Sequence, residues 1–414
     1  MDIFLVICLN KFRKIMIIKN KLPQQLFKTL LFSTVLLLTN CKKEEDANSE
    51  ITKEKTTEDL SFSLNPKRLA LTSTPTGSYN LANSLPTGYV KNGSVDYTKY
   101  LQAAINKYSN VTFPNFPILI NSYGLKIGSN KTIYFLEGAK IKLQPTSKGL
   151  YYMLRLFKSS NVTIVNPVIE GDRTKHLGTS GEYGMGISIS SSNNITIKNP
   201  EISECWGDAI HIVQSDGEAA PKNIEITGGR FIKNRRNGIS VISVDGLRVS
   251  DTYVYGVLEN EGGTRPMSGI DMEPTKGDQQ MKNIFIDNIK TEHMGAEGIQ
   301  IRLRRLYSAS TTKTISINVS KHEDIGSPLA AFLMEIKNDN NDPSIGGTLN
   351  ISQTKWRRNP KYVNFGLGWN EPKIKVNMEK VRIYDMENDI KPEKETKEVI
   401  RRYMRSNVNY SFDY

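Results

Sequence analysis

From about residue 100 onward, apolar and polar positions alternate in short runs, and the runs recur. The phrase Asn-apolar-any-apolar appears as NVTI (161–164), NITI (194–197), NIEI (223–226) and NIFI (283–286), with DGLRV (245–249), KTISI (313–317) and GTLNI (347–351) as looser copies. Intervals between the strict copies are 33, 29 and 60 residues, the last holding two coils with a looser copy between. A second phrase, Gly or Ala followed by apolar-any-apolar, interleaves as GISIS (186), AIHIV (209), GISVI (238), GIDME (269) and GIQIR (298). Period-two alternation on Ile and Val predicts strands, not helices. Repetition at this interval predicts an all-β chain wound as a parallel β-helix, with inward Ile and Val stacked into one continuous core.

Upstream, residues 96–114 carry an amphipathic stretch, Tyr97, Leu101, Ala104 and Ile105, followed by a strand-like NKTIYFLEGAKIKL (130–143). A helix there would cap the open end of the solenoid over about 95–125, since an uncovered end exposes apolar side chains and unpaired strand groups. The charged segment over about 375–414 is expected to close the other end.

Residues 19–41 read as a secretory signal: Lys19, Lys21 and Lys28 form a basic region, and Leu30 to Leu38 an apolar run too short to span a bilayer. Met16 is accordingly expected to be the start. Leu38-Thr39-Asn40-Cys41 resembles a lipobox, which implies lipidation of Cys41 and a signal peptide over residues 1–40. Residues 42–59, KKEEDANSEITKEKTTED, are charged and free of aromatics, the composition of a tether that cannot bury enough surface to order itself, and the tether is expected over 41–64. Lys followed by acidic residues after Cys41 resembles a surface-export signal, so the expected location is the outer membrane, facing the cell exterior, with residues 65–414 forming the β-helix domain.

Net charge is +12, of which the first forty residues hold about +5, leaving a modest surplus that suits an acidic partner or a solvated basic face equally well. Among three cysteines, Cys8 and Cys41 belong to the leader, so Cys205 stands alone and a disulfide framework is excluded.

If the Ile residues of the second phrase point inward at equivalent positions, the following residues form one outward row: Arg155, Ser188, His211, Ser240, Asp271 and Gln300. Two residues further on runs a parallel row of Ser190, Val213, Ile242, Glu273 and Arg302. Neighbours along a row lie about 4.8 Å apart and i, i+2 neighbours about 6.6 Å, so His211, Asp271, Glu273 and Arg302 could converge on one sugar. Asp271 and Glu273 are the expected catalytic carboxylates, at a separation near the range an inverting glycosidase uses to admit water. Such pairs also occur as plain solvated surface. His211 and Asp208 are further candidates for proton transfer, and Arg302 for a base in β-elimination. The loop IEGDRTKHLGTSGEYG (169–184) contributes Arg173, His176 and Glu182 as candidate substrate contacts, because functional groups collect in loops set on a rigid scaffold. Trp206 could stack on a sugar or fill a core corner. Arg235, Arg236 and Arg304 could pair with a uronate carboxylate or serve only solubility.

The phrases IEGDRTKH, GEYGMGISIS, WGDAIHI, RRNGISVIS and SGIDMEP resemble the right-handed parallel β-helix proteins of the pectate-lyase superfamily, over about residues 95–340. WGDAIHI is similar to the GDD-containing coil of polygalacturonases, with one Asp208 where that family has two, and neither the RIK motif of that family nor the DPH motif of mannuronan epimerases is present. The resemblance implies a carbohydrate-active protein: foremost a polysaccharide lyase on a uronate-containing glycan, with Asp271 and Glu273 holding substrate or a Ca²⁺ ion. A glycoside hydrolase using Asp271, Glu273 and Asp208, and a non-catalytic glycan-binding solenoid, are the alternatives. Nucleic acid is not an expected partner, since RLRR is a short basic run without a recognition motif.

Overall fold

In a computed structural model of the chain, the described residues are 70–308, 313–335, 345–359, 362–365, 373–384, 398 and 408–412. The expected leader, lipidated Cys41 and tether lie outside them. From Leu64 onward the chain is one compact unit.

The unit is a parallel β-solenoid of about nine turns. One sheet stacks nine strands in chain order: β1 Leu125–Ile127, β2 Leu150–Phe157, β3 Tyr183–Ser190, β4 Ile210–Val213, β5 Ile239–Val241, β6 Ile270–Met272, β7 Glu297–Arg302, β8 Ala330–Glu335 and β9 Val363–Phe365. Every neighbouring pair is parallel, and the second phrase sets the register: Ile187, Ile210, Ile239, Ile270, Ile299, Phe332 and Val363 lie one above another. All seven are fully buried, so each turn contributes one layer to a column of apolar side chains. The remaining strands form a second, bent sheet around the same core, including Asn193–Lys198, Lys222–Thr227, Val244–Tyr255 and Met281–Glu292.

The asparagine of the first phrase has a conformational cause. Asn161, Asn194, Asn223 and Asn283 all sit at positive φ, between 53° and 58°, at the bend into a strand. Asparagine tolerates this left-handed region better than other side chains bearing a Cβ. Its amide then bonds along the stack: Asn161 donates to Asn130 at 3.0 Å, Asn194 to Asn161 at 3.0 Å and Asn223 to Asn194 at 3.0 Å. The looser copy DGLRV places Gly246, at φ 93°, where the asparagine would stand, and Asn283 bonds Asp245 instead, at 2.8 Å. A second ladder joins Asn199 to Asn166, and a third runs from Asn377 through Asn350 to Asn318.

The predicted helix is present as α1, Thr98–Lys107, and Leu101, Ala104 and Ile105 on its inner face join the core. At the other end, Lys373–Tyr384 is a strand paired in parallel with residues 346–352 and 355–357, so the stack continues through the start of the segment expected to close it. A further strand, Val408–Phe412, pairs with it.

Two substitutions test this packing by denaturant unfolding. Ile239→Ala, in the middle of the buried column, is expected to lower stability by about 2–5 kcal/mol. Asn194→Ala should lower it by about 1–2 kcal/mol, because alanine at positive φ is strained and the ladder is cut, whereas Asn194→Gly adopts the same φ freely and costs less.

Candidate active site

The nine-stranded sheet turns one row outward through its middle, with a second, shorter row two residues on that includes Phe157, Ser190 and Val213 and, further along, Arg302 and Glu335. Register pairs align Lys126, Arg155, Ser188, His211, Ser240, Asp271, Gln300 and Leu333 across eight strands. Residues 29 to 33 apart in sequence, or 23 at the shortest step, become neighbours about 4.8 Å apart.

Asp271, only 2% exposed, is the centre of this row. Gln300 Nε2 donates to its Oδ1 at 2.8 Å, and Asn237 Nδ2 reaches Oδ2 at 3.4 Å. Burial, then the negative charges of Glu273 and Asp208, push the Asp271 carboxyl up to about 8, against the lowering influence of Gln300 and Arg236. Asp271 is therefore a carboxylic acid that keeps its proton at neutral pH.

Asp208, fully buried, precedes β4 in the coil beginning WGDAIHI. Its Oδ1 accepts the backbone N–H of Asn237 at 3.0 Å, and Arg236 Nη1 lies 3.8 Å from its Oδ2. Arg236 also faces Glu182 at 3.6 Å and lies over the ring of Tyr183, 5.4 Å from its centroid. Burial works against the Arg236 charge, but Asp208, Glu182 and Asp271 together hold its guanidinium above the ordinary arginine value. His211, half-buried beside them, is pushed below the usual histidine range by desolvation, which outweighs the raising influence of Asp208. It is a neutral imidazole at pH 7.

Four buried polar atoms in these rungs make no hydrogen bond within the protein: Asp208 Oδ2, His211 Nδ1, Gln300 Oε1 and Arg302 Nε. Buried polar groups are nearly always satisfied, so a cluster of exceptions around a protonated carboxyl marks a place suited to a polar ligand.

The structure thus brings together Asp271, Glu273, Asp208, His211, Arg236 and Glu182. Other expectations are corrected. Arg302 is engaged by Glu335, its neighbour in register, with Nε at 3.6 Å, and the cation that acts on Asp271 is Arg236. Arg304 does not share the outward face of Arg302, because β7 ends at Arg302 and Arg304–Ser308 is a 3₁₀ helix that breaks the alternation. Trp206 has no ring face left for a sugar. His176 stacks on it with centroids 3.8 Å apart, and the Arg235 guanidinium lies 3.6 Å from its centroid, so the two must occupy opposite faces. The His176 side chain is buried, bonded through Nδ1 to Asp172 at 2.8 Å, and Arg173 pairs with Glu204 at 2.8 Å. His176, Arg173, Trp206 and Arg235 are thus tied to one another and to Asp172 and Glu204, while His176 Nε2 and Trp206 Nε1 are buried without a hydrogen-bond partner. As to Ca²⁺, no group of three His, Cys, Asp or Glu side chains that could hold a metal ion is found among the described residues.

Asn237 escaped the sequence reading. Besides meeting both carboxyls, it donates to Ser240 Oγ at 2.9 Å, and its Oδ1 accepts the backbone N–H of Ser268 at 2.8 Å. Its signal was its place in RRNGISVIS, one residue before the glycine that leads into β5.

No family model matches the chain. It is 26% identical over 270 residues to the uncharacterized protein YclG of Bacillus subtilis, covering 56% of this chain and 46% of that one. It is 30% identical over 166 residues to the SPbeta prophage-derived uncharacterized protein YorA of the same organism, covering 36% and 28%. This chain thus spans less than half the length of either relative. Among solved structures it is similar to a variant of the tailspike protein of E. coli bacteriophage HK620, with TM-score 0.54 and 14% identity over 75% of this chain and 57% of that one. A second is the iota-carrageenase of A. fortis, with TM-score 0.52 and 14% identity over 70% and 73%. The likeness is one of fold. Both neighbours share the parallel β-helix path.

The state of Asp271 gives a stability prediction. The folded carboxyl holds its proton to about pH 8, whereas the unfolded chain releases it near pH 4, so its contribution is complete below about pH 4 and is lost as pH rises through about 8. Asp271→Asn, which mimics the protonated acid, should lose less thermal stability than the wild type between pH 5 and 8. Equal losses would show that Asp271 is ionised in the fold.

Proposed function

We propose that the protein is a glycoside hydrolase of the parallel β-helix kind, with Asp271 as general acid. The observation that carries this reading is a buried carboxyl that keeps its proton to about pH 8, two residues before Glu273, which follows the end of β6, and beside the Asp208–Arg236 pair. Carboxyls whose surroundings differ this strongly can divide acid and base roles between them. In the step this allows, a water attacks the anomeric carbon as Glu273 takes its proton. The glycosidic C–O bond breaks, and the leaving oxygen collects the proton of Asp271. The Glu273 N–H continues the ladder onto the Val241 carbonyl at 3.1 Å just past the end of β6, and residues i and i+2 of extended chain stand about 6.6 Å apart, close to the spacing that lets water enter an inverting site. Arg236, held charged, would orient Asp208 and bind hydroxyl or acidic groups of the sugar. The fold shared with a carrageenase and a tailspike supports a polysaccharide as the substrate. The leader and Cys41 support display as an exported lipoprotein on the outer membrane, which labelling with radioactive palmitate tests.

A second reading is favoured by one observation: neutral His211 has an unpartnered Nδ1 and could act as base in a β-elimination, with Arg236 neutralising a uronate carboxylate. The two reactions leave different products. Incubation of residues 65–414 with a panel of neutral, sulfated and uronate glycans should yield new reducing ends without ultraviolet absorbance. An absorbing unsaturated product would assign the lyase reaction, and binding without turnover would leave only a lectin-like solenoid. Asp271→Asn should lower kcat by about 10²–10⁴-fold. The wild-type rate should fall as pH rises past about 8, where the acid is lost.

A further inference from the structure

The guanidinium groups around Asp271 are already answered by carboxylates. Arg236 lies 3.8 Å from Asp208 and 3.6 Å from Glu182, and Arg302 lies 3.6 Å from Glu335. These two cations therefore stand among the carboxyls of Asp208, Glu182, Glu335, Glu273 and Asp271. A sugar carboxylate or sulfate brought into so acidic and enclosed a place needs an uncommitted cation, and neither guanidinium is one.

The atoms left without a partner carry the matching bias. Asp208 Oδ2, on a carboxylate facing a guanidinium, and Gln300 Oε1, on an amide, can only accept a hydrogen bond. Asp208 is 0% and Gln300 1% exposed, where an unmet lone pair costs the full desolvation of its group. Carboxylate and sulfate oxygens also only accept, so they cannot meet these atoms. A hydroxyl both donates and accepts, which suits Arg302 Nε and either tautomer of His211 Nδ1 as well.

The two acceptors flank Asp271 along the stack. Gln300 is its neighbour one rung on, and Asp208 belongs to the coil of β4, two rungs back. Three rungs at 4.8 Å span about 14 Å, a distance that two linked sugars with their hydroxyls cover. The mouth is the second outward row, where Val213, Ile242, Glu273 and Arg302 are half-buried. Val213 and Ile242 offer an apolar bed to the C–H face of a sugar beside these polar groups. The acceptors are covered in this structure, so a sugar that reaches them parts the side chains at the mouth. Arg302 meets Glu335 there beyond hydrogen-bonding length.

We propose that the two sugars flanking the bond that breaks are neutral, one giving a hydroxyl proton to Gln300 Oε1 and the other to Asp208 Oδ2, and that a carboxylate or sulfate is excluded from both positions. The proposal rests on the reading of Asp271 as the acid at that bond. It separates this protein from the uronate-directed reaction that the sequence resemblance implies, and it makes Gln300 and Asp208 determinants of specificity.

The test reads binding apart from turnover. Asp271→Asn protein, inactive and neutral at that position, is titrated calorimetrically with oligosaccharide pairs of equal length and linkage that differ only at C6: galactan and galacturonan, mannan and mannuronan, glucan and glucuronan. In a pair that binds, the neutral member should bind more tightly by about 10-fold or more, because like charges brought together are strongly disfavoured. That preference should weaken with salt. Adding Gln300→Leu, which keeps the volume and removes the acceptor, should weaken the neutral member by about 10- to 100-fold. Adding Glu182→Gln instead leaves Arg236 one carboxylate fewer and should strengthen the uronate member relative to the neutral one, a gain that misfolding does not produce. Equal or tighter binding of the uronate member, an unchanged ratio in the Glu182→Gln protein, or failure to bind any pair overturns the proposal. Failure of the wild type to cleave any of the six glycans overturns the hydrolase reading separately, and an ultraviolet-absorbing product from a uronate member overturns both.

Discussion

Register between successive turns is the constraint on which the rest of the molecule depends. A parallel stack places each residue against its equivalent one coil away, and a slip of one residue would turn the whole inner column of Ile outward. Two devices hold it. The buried column from Ile187 to Val363 rewards only the native alignment, and the asparagine ladder binds Asn130, Asn161, Asn194 and Asn223 amide to amide along the bends. The ladder is specific in a way the apolar column is not, because its side chains must sit at positive φ to meet. Conformation and hydrogen bonding thus select the same alignment.

Once register is fixed, the outer row is fixed with it, and the chemistry of the site follows from unequal environments along one line. Asp271 loses nearly all contact with water and gains two amide donors but no direct ion pair, so it is easier to protonate than to desolvate. Asp208 is buried as deeply, but it receives a backbone N–H and faces the Arg236 guanidinium. A single arginine serving Asp208 and Glu182 leaves Asp271 as the carboxyl without a cation of its own. That division follows from the distances and not from the residue types, which are the same.

The sequence reading reached the fold, the period and the membership of the row, because each rests on backbone alternation repeated in every coil. The row His211, Ser240, Asp271, Gln300 needed only the assumption that Ile210, Ile239, Ile270 and Ile299 are equivalent. Features set by side-chain reach were hidden. Arg302 and Arg304 look alike two residues apart, but a strand's alternation holds only while the strand lasts, and it ends between them. Glu335, which engages Arg302, ends AFLME (331–335), a copy of the second phrase one coil on in which Ala331 and Phe332 take the places of Gly and Ile. The sandwich around Trp206 joins residues from two loops whose spacing follows no period. Asn237 was overlooked because an asparagine before a glycine reads as turn chemistry, and its contact with two carboxyls depends on where the next coil happens to lie.

Adjacent Arg235 and Arg236 explain why a loop as long as 171–182 can carry part of such a site. Arg235 covers one face of Trp206 and donates to the carbonyl of Gly181 at 2.6 Å, while His176 covers the other face and is held by Asp172, which also accepts the Tyr151 hydroxyl at 2.5 Å. The loop is therefore fastened through His176 to Trp206, in the coil that contains Asp208, and at Gly181 to Arg235 of the next coil. Glu182, the next residue after the Gly181 tie, is delivered to Arg236 and shares its charge with Asp208. One arginine of the pair fixes the loop and the other uses the carboxylate the loop brings. Flexible segments lose precision as they lengthen, and a stacked, buried tryptophan clamped on both faces restores it without occupying the row where a glycan would lie.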